Sequence, residues 1–214
     1  MVSTEGIHWL GHDSFRVDGT ATVYIDPWQI AEGASRADVV LVTHDHYDHL
    51  SLTDIQKLAG PGTVVVGPEP VTSQVRGLET VTVAAGDTVS VGGVGITAVP
   101  AYNTNKFREP GVTYHPQEAG HLGYIVELDG RRIYHAGDTD AIPEMAAVVC
   151  DVALLPVSGT YVMTADEAAT ACGLVSAGVV VPMHYGTVAG SAEDADRLRQ
   201  LCGVPVVVLP NENL

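Results

Sequence analysis

Residues 44 to 49 read His-Asp-His-Tyr-Asp-His, so four strong metal-ligand side chains, His44, His46, Asp48 and His49, fall within six positions. The run before them, Val39-Val40-Leu41-Val42-Thr43, is apolar and β-branched, which predicts a buried strand. The ligands therefore stand where a strand ends and the chain turns. His44 and His46 are two apart in extended chain, so their side chains point the same way and can grip one cation. Asp48 and His49 lie past the turn, at the start of an expected helix, and can reach a second. Imidazole with carboxylate suits Zn2+, with Mn2+ or Fe as alternatives. A solvated polar loop is the plain alternative, but this density of His and Asp at a strand end is costly to gather without an ion.

Two further positions supply the same chemistry. Asp138, in Tyr134-His135-Ala136-Gly137-Asp138-Thr139-Asp140, follows a strand and a glycine turn. A carboxylate offers two oxygens, so Asp138 can bridge two dications and reduce their repulsion; Asp140 lies deeper in the loop and suits that role less. His184 follows Val179-Val180-Val181-Pro182-Met183, a phrase that echoes the run before His44. That echo assigns it to the second cation, with Asp48 and His49.

The elements that must carry these groups are mostly short strands. Ser14 to Val17 and Thr22 to Ile25 flank Asp18-Gly19, and Leu122 to Leu128 and Arg131 to His135 flank Asp129-Gly130; both predict hairpins. Further strands are expected over 63–66, 80–83, 89–99, 152–155, 179–181 and 204–209. Helices are expected over 53–59, from a Thr164 cap with Glu167 completing a capping box to about Val175, and from Ser191 to about Cys202. The segment from Asn103 to Gly120 lacks periodicity and reads as a long loop, of the kind that usually carries function. The chain also repeats itself. Gly11-His12, an aromatic strand, Asp-Gly and Val23-Tyr24-Ile25-Asp26 match Gly120-His121, an aromatic strand, Asp-Gly and Ile133-Tyr134-His135 leading to Asp138. Two related halves, each a sheet with covering helices, would stack sheet on sheet with helices outside.

Composition narrows the function classes. The 214 residues suit one domain, 1–214, and the 46% apolar content argues against disorder. The net charge of −16 repels phosphate backbones and anionic bilayers, so neither nucleic acid nor membrane is expected as a partner. The N-terminal Met1-Val2-Ser3-Thr4-Glu5 lacks the basic and apolar regions of a secretion signal, and Cys150, Cys172 and Cys202 form no CxxC pair. A cytoplasmic protein with reduced cysteines is expected, and the excess of Arg over Lys points to a GC-rich prokaryotic source. Nothing in the chain speaks to its oligomeric state.

Thr43-His44-Asp45-His46-Tyr47-Asp48-His49-Leu50, His135-Ala136-Gly137-Asp138-Thr139 and Pro182-Met183-His184-Tyr185, in this order, resemble the metallo-β-lactamase superfamily. The small single-domain hydrolase branch, similar to ascorbate-6-phosphate lactonase-like proteins, is the nearest likeness, and it covers nearly the whole chain. The resemblance implies an α/β fold, a four-layer αββα sandwich of two mixed sheets, with a dinuclear site at one edge. Members often present one more His to the first cation, between the first motif and the bridging Asp. Here Tyr102 stands where that His is expected, which leaves His115, in Tyr114-His115-Pro116, or His121. His115 is preferred, because its loop can fold over the metals and His121 is the echo of His12.

The surrounding residues are read as follows. Asp26 and His135 would lie behind the ligands, Asp26 accepting a ligand N–H. His12 and Tyr185, with Lys106 and Arg108 in the long loop, would face substrate, the two cations attracting an anion. The expected activity is that of a metal-dependent hydrolase. Two divalent ions, Zn2+ foremost, would make hydroxide available near neutral pH to attack a small, perhaps anionic, ester, lactone or phosphodiester. Asp48 would ligate and also orient the nucleophile or pass a proton to the leaving group. A non-hydrolytic di-iron redox or metal-binding protein on the same fold is the alternative.

Overall fold

The structure, a computed structural model, describes residues 2–213. In chain order the strands are β1 (Ile7–Trp9), β2 (Phe15–Asp18), β3 (Thr22–Ile25), β4 (Val39–Leu41), β5 (Val64–Gly67), β6 (Glu79–Thr82), β7 (Thr88–Val91), β8 (Val94–Pro100), β9 (Phe107–Glu109), β10 (Val112–Thr113), β11 (Leu122–Leu128), β12 (Arg131–His135), β13 (Val149–Pro156) and β14 (Ser176–Met183). The helices are α1 (Leu52–Leu58), α2 (Glu69–Thr72), α3 (Ala165–Leu174) and α4 (Ala192–Leu201).

Two six-stranded sheets, ordered β1-β2-β3-β4-β5-β6 and β14-β13-β12-β11-β8-β7, pack face to face with helices outside, an αββα sandwich. The alternation of side chains along each strand builds these layers. Val23, Ile25, Val39, Leu41, Val64 and Val66 point inward to the shared core, while Tyr24, Val40, Val42 and Val65 point outward to Ile55 and Leu58 of α1 and Val71 of α2. Strands buried on both faces must read as continuous apolar runs, as β4 and β5 do.

β3, β4, β5 and β6 run parallel in one sheet and β12, β13 and β14 run parallel in the other. The chain therefore turns at the carboxyl ends of β3, β4, β12, β13 and β14, where open α/β sheets place their ligands. The sheets are tied together near this edge: Leu122 N–H donates to Thr43 O (3.0 Å) and the buried Tyr124 hydroxyl donates to Val42 O (2.8 Å). Gly137 completes the approach. Its φ is +66°, and a Cβ there would lie 2.5 Å from the Leu122 carbonyl oxygen of the neighbouring strand and 3.4 Å from Thr43 Cγ2 across the joint, so only glycine fits the turn that delivers Asp138.

The topology refines the internal repeat. The β2–β3 and β11–β12 hairpins each pass into a parallel strand, so β4 corresponds to β13 and β5 to β14. The phrase before His184 thus lies one strand further out than its echo before His44. Other expectations also shift. The run 89–99 is two strands, β7 and β8, because Gly92 and Gly93 both adopt positive φ (58° and 83°) and turn the chain. Residues 204–209 make only the parallel bridge Val180↔Val206. The segment 103–120 holds the β9–β10 hairpin and a 3₁₀ turn at Gln117–Ala119. Among the described residues no helix is long and apolar enough to cross a membrane.

The capping box at Thr164 also anchors that segment. Glu167 accepts from Thr164 N–H (2.7 Å) and takes the Lys106 ammonium (2.7 Å) and the Asn105 amide (2.7 Å). Partial burial pushes the Glu167 carboxyl up, but Lys106 and these donors outweigh it and lower it from 4.5 to about 2. A depressed carboxyl contributes stability above its unfolded value that is lost as pH falls through the folded one. Glu167→Gln is expected to cost about 1 kcal/mol at neutral pH after allowance for solvent screening, with the difference fading toward pH 2 in urea unfolding.

Candidate metal centre

Five chain segments deliver the site. His44 leaves β4 and the turn through Asp48 returns the chain, with His49 and Leu50 N–H both donating to His46 O (3.0 and 2.8 Å) before Ser51 caps α1. His115 follows β10, Asp138 follows β12 and its glycine turn, and His184 follows β14. The fifth segment is the turn before β2, which holds His12 and Asp13. His12, Asp26 and His184 all have left-handed backbones (φ 50°, 46° and 56°), a strained state that recurs where side chains are aimed at a ligand.

Two clusters of potential ligand atoms result. In the first, His46 Nδ1 lies 3.0 Å from His44 Nε2 and 3.2 Å from His115 Nε2. Nitrogens about 2.0–2.1 Å from a tetrahedral ion stand roughly 3.3 Å apart, so these three imidazoles have the spacing of a shared cation. His115 Nε2 is also 3.2 Å from Asp138 Oδ2. In the second, Asp138 faces His49 Nε2 at 3.5 Å and His184 Nε2 at 3.4 Å, so its carboxylate stands between the two clusters. Asp48 lies beside them, its Oδ2 accepting from His12 Nε2–H at 3.1 Å.

The donor set fits cations by what it lacks. His49 Nε2, His184 Nε2, Asp138 Oδ1 and both Asp13 oxygens are buried without a hydrogen-bond partner among the described residues. Buried polar atoms are almost always paired. Orphans of both kinds, facing one another at 3.5 to 3.8 Å, are the pattern that an ion satisfies.

The outward nitrogens of His44, His49, His115 and His184 are engaged, which sets the tautomers of these four rings. His49 Nδ1 donates to Asp26 Oδ2 (2.7 Å), while Thr43 gives Asp26 its N–H (2.7 Å) and hydroxyl (2.6 Å). His44 Nδ1 donates to the Thr43 hydroxyl (2.9 Å), and His184 Nδ1 to Ser158 Oγ (2.9 Å). His115 Nδ1 donates to Asn103 Oδ1 (2.9 Å), which also accepts from His115 N–H (2.9 Å). His135 holds backbone on two sides: its Nε2 donates to Asp13 O (2.9 Å) and its Nδ1 accepts from Gly137 N–H (3.2 Å). Sequence reading found Asp26 and His135 but missed Asp13, Thr43, Asn103 and Ser158. Short polar residues carry no spacing signal, although Asn103 opens the loop that bears His115.

Burial and carboxylates pull the rings in different directions. Burial drives His44 and His46 down and takes His12 to about 4, so these rings are neutral. For His49 and His184 burial is outweighed by the carboxylates, Asp138 first, and His184 rises to about 9. Asp138 is held low against burial by His184, His49 and His115, whereas burial dominates Asp13 and raises it.

A cavity of about 250 Å³ opens onto the centre, lined by Tyr47, Tyr114, Tyr161 and Val188 beside His46, Asp48, His115 and Asp138. Four sequence-singled residues lie away from its walls. Lys106 is committed to Glu167 and Asp140 (2.7 and 3.4 Å), and Arg108 is exposed on β9. Tyr185 is buried and stacked on Trp9 at 4.8 Å, and His12 turns to Asp48 from behind. His121 stacks on His44 (4.7 Å) with its Nδ1 unpartnered, and lies outside the ligand clusters that include His115.

The family model described as a Beta-lactamase superfamily domain matches residues 6–184. A UPF0173 metal-dependent hydrolase of Methanoculleus marisnigri is 37% identical over 186 residues, 84% of this chain and 80% of its own length. Another, of Pyrococcus abyssi, is 34% identical over 227 residues, 97% of this chain and 98% of its own. A crystal structure from Parabacteroides distasonis, 33% identical, superposes with a TM-score of 0.81 over 94% of this chain and 91% of that one.

Asn103→Ala removes both acceptor contacts to His115 and the hydrogen bond that Asn103 Nδ2–H donates to Tyr161 O (2.9 Å). It is expected to cost about 2–3 kcal/mol in urea unfolding, because buried donors are left unpaired.

Proposed function

The chain belongs to the metallo-β-lactamase superfamily, within its UPF0173 metal-dependent hydrolases, and from that premise we propose a dinuclear centre acting on a small ester or lactone. His44, His46 and His115 would hold one cation, and Asp48, His49 and His184 the other, with Asp138 between them. The observation that carries this reading is the convergence of His and Asp ligand atoms from separate segments into groups whose members lie within 4.8 Å of one another, several of them buried without a partner. Divalent cations held there would polarise a substrate oxygen and bring the pKa of a bound water down to about 7.

The chain's own residues supply position and proton handling. Asp26, Thr43, Asn103 and Ser158 keep the free nitrogens of His49, His44, His115 and His184 aimed inward. Asp48 stands in the cavity wall with His12 Nε2–H on its Oδ2, so its other oxygen is the group placed to orient an attacking water or return a proton to the leaving group. Tyr114 and Tyr161, packed edge to face at 4.8 Å, shape the wall across from it. No Lys or Arg lines this cavity, and Lys106, the cation expected to draw an anion, is neutralised by Glu167 and Asp140. A carbonyl ester or lactone is thus favoured over a phosphodiester.

A panel of lactones, esters and phosphodiesters, run beside metal analysis of the purified protein, tests this. His46→Ala is expected to lower turnover by more than about 100-fold with the circular dichroism spectrum unchanged. Retained turnover, or iron with visible absorbance and no hydrolysis, would refute the reading. Metal uptake also has a pH signature. A ring must give up its proton to ligate, and His184 keeps its proton up to about 9 in the metal-free chain. Affinity for Zn2+ or Mn2+ should therefore climb as pH rises toward about 9, with proton release visible when calorimetric titrations in two buffers are compared.

A further inference from the structure

Asp13 is fully buried, and neither carboxylate oxygen meets a hydrogen-bond donor among the described residues. Its Oδ2 stands 3.6 Å from His12 Nε2, 3.7 Å from His49 Nε2 and 3.8 Å from His184 Nε2. Those distances are too long for hydrogen bonds. They are ordinary for atoms that share one cation, whose ligands about 2.0–2.2 Å away are separated by roughly 3 to 4 Å. Its backbone is fixed as well, since Asp13 O accepts from His135 Nε2–H (2.9 Å) while the same ring receives the N–H of Gly137, next to Asp138. One buried imidazole thus sets the entry of both carboxylates.

An isolated buried carboxylate is costly, and the described residues provide no hydrogen-bond donor to offset it. Resting on the reading that the centre holds cations, we propose that Asp13 is a ligand of the second one, on the side of His49 and His184 facing His12. With Asp13, Asp48 and Asp138 this position has three carboxylates and two imidazoles at hand. That donor set is harder and richer in oxygen than the three-imidazole position around His46. The two positions are then chemically unlike, and losing Asp13 should empty one while sparing the other.

The test titrates apo-protein with Zn2+ alone and Mn2+ alone against a competing chelator, for the parent, Asp13→Asn and Asp13→Ala. With whichever ion gives the parent two equivalents, both variants are expected to keep one equivalent at parental affinity and to bind the second at least tenfold more weakly. Melting adds a second readout. Without metal the variants should be no less stable than the parent, and with metal they should gain less. A second equivalent bound within twofold of the parent's affinity would overturn the assignment while leaving the dinuclear reading intact. A parent that takes up fewer than two equivalents of either ion would overturn both. Variants that fail to fold without metal would show a structural role for the carboxylate and would also overturn the proposal.

Discussion

Carboxylates buried at a joint between two sheets can stay ionised only if positive charge is close by. Asp138 and Asp13 are both almost wholly withdrawn from water, at the edge where the sheets meet. A lone buried carboxylate loses hydration worth many kcal/mol in a low-dielectric interior. In the metal-free chain the compensation comes from His49 and His184, drawn toward their protonated forms, and it reaches Asp138 far better than Asp13. Much of the rest of the structure serves to keep these like charges together and aimed at one place.

Rigid backbone and a layer of short polar side chains provide that control. Strands β3, β4, β12, β13 and β14 all end at the same edge, so a side chain one to three residues beyond each strand is already near the centre. Ligation demands more than proximity, because an imidazole rotated about its own axis offers the wrong nitrogen. Asp26, Thr43, Asn103 and Ser158 remove that freedom. The left-handed backbones at His12, Asp26 and His184 add strain that the packed sheets must hold. The His115 loop is pinned twice, by Asn103 at the ring and by Lys106 and Asn105 at Glu167. Lys106 is thereby a structural cation, and this leaves the cavity to tyrosines and Val188.

Elements whose local pattern matched their surroundings were readable in advance. The buried strands β4, β13 and β14 are continuous apolar runs, and the Asp129-Gly130 hairpin follows from two residues that accept positive φ (52° and 75°). Capping residues marked the starts of α3 and α4, where both capping boxes form. The misreadings arose where tertiary pairing decides. Residues 204–209 have strand composition but find only one bridge, at Val206, and 103–120 forms its small hairpin despite weak periodicity. The run 89–99 was read through its paired glycines, whose backbone freedom turned it into a hairpin.

Taken alone, the sequence determined the fold class, the sheet edge that carries the chemistry and the donor types gathered there. Those follow from side-chain period and from ligands spaced along one strand end, which are properties of neighbouring residues. Only the tertiary structure decided that His115 and not His121 groups with His44 and His46, that Lys106 is spent on Glu167, and that the buried Asp13 carboxylate lies 3.7 Å from His49 Nε2. Each of these depends on which distant segments the packed sheets press together. Separation in space between residues far apart in the chain leaves no mark on local spacing.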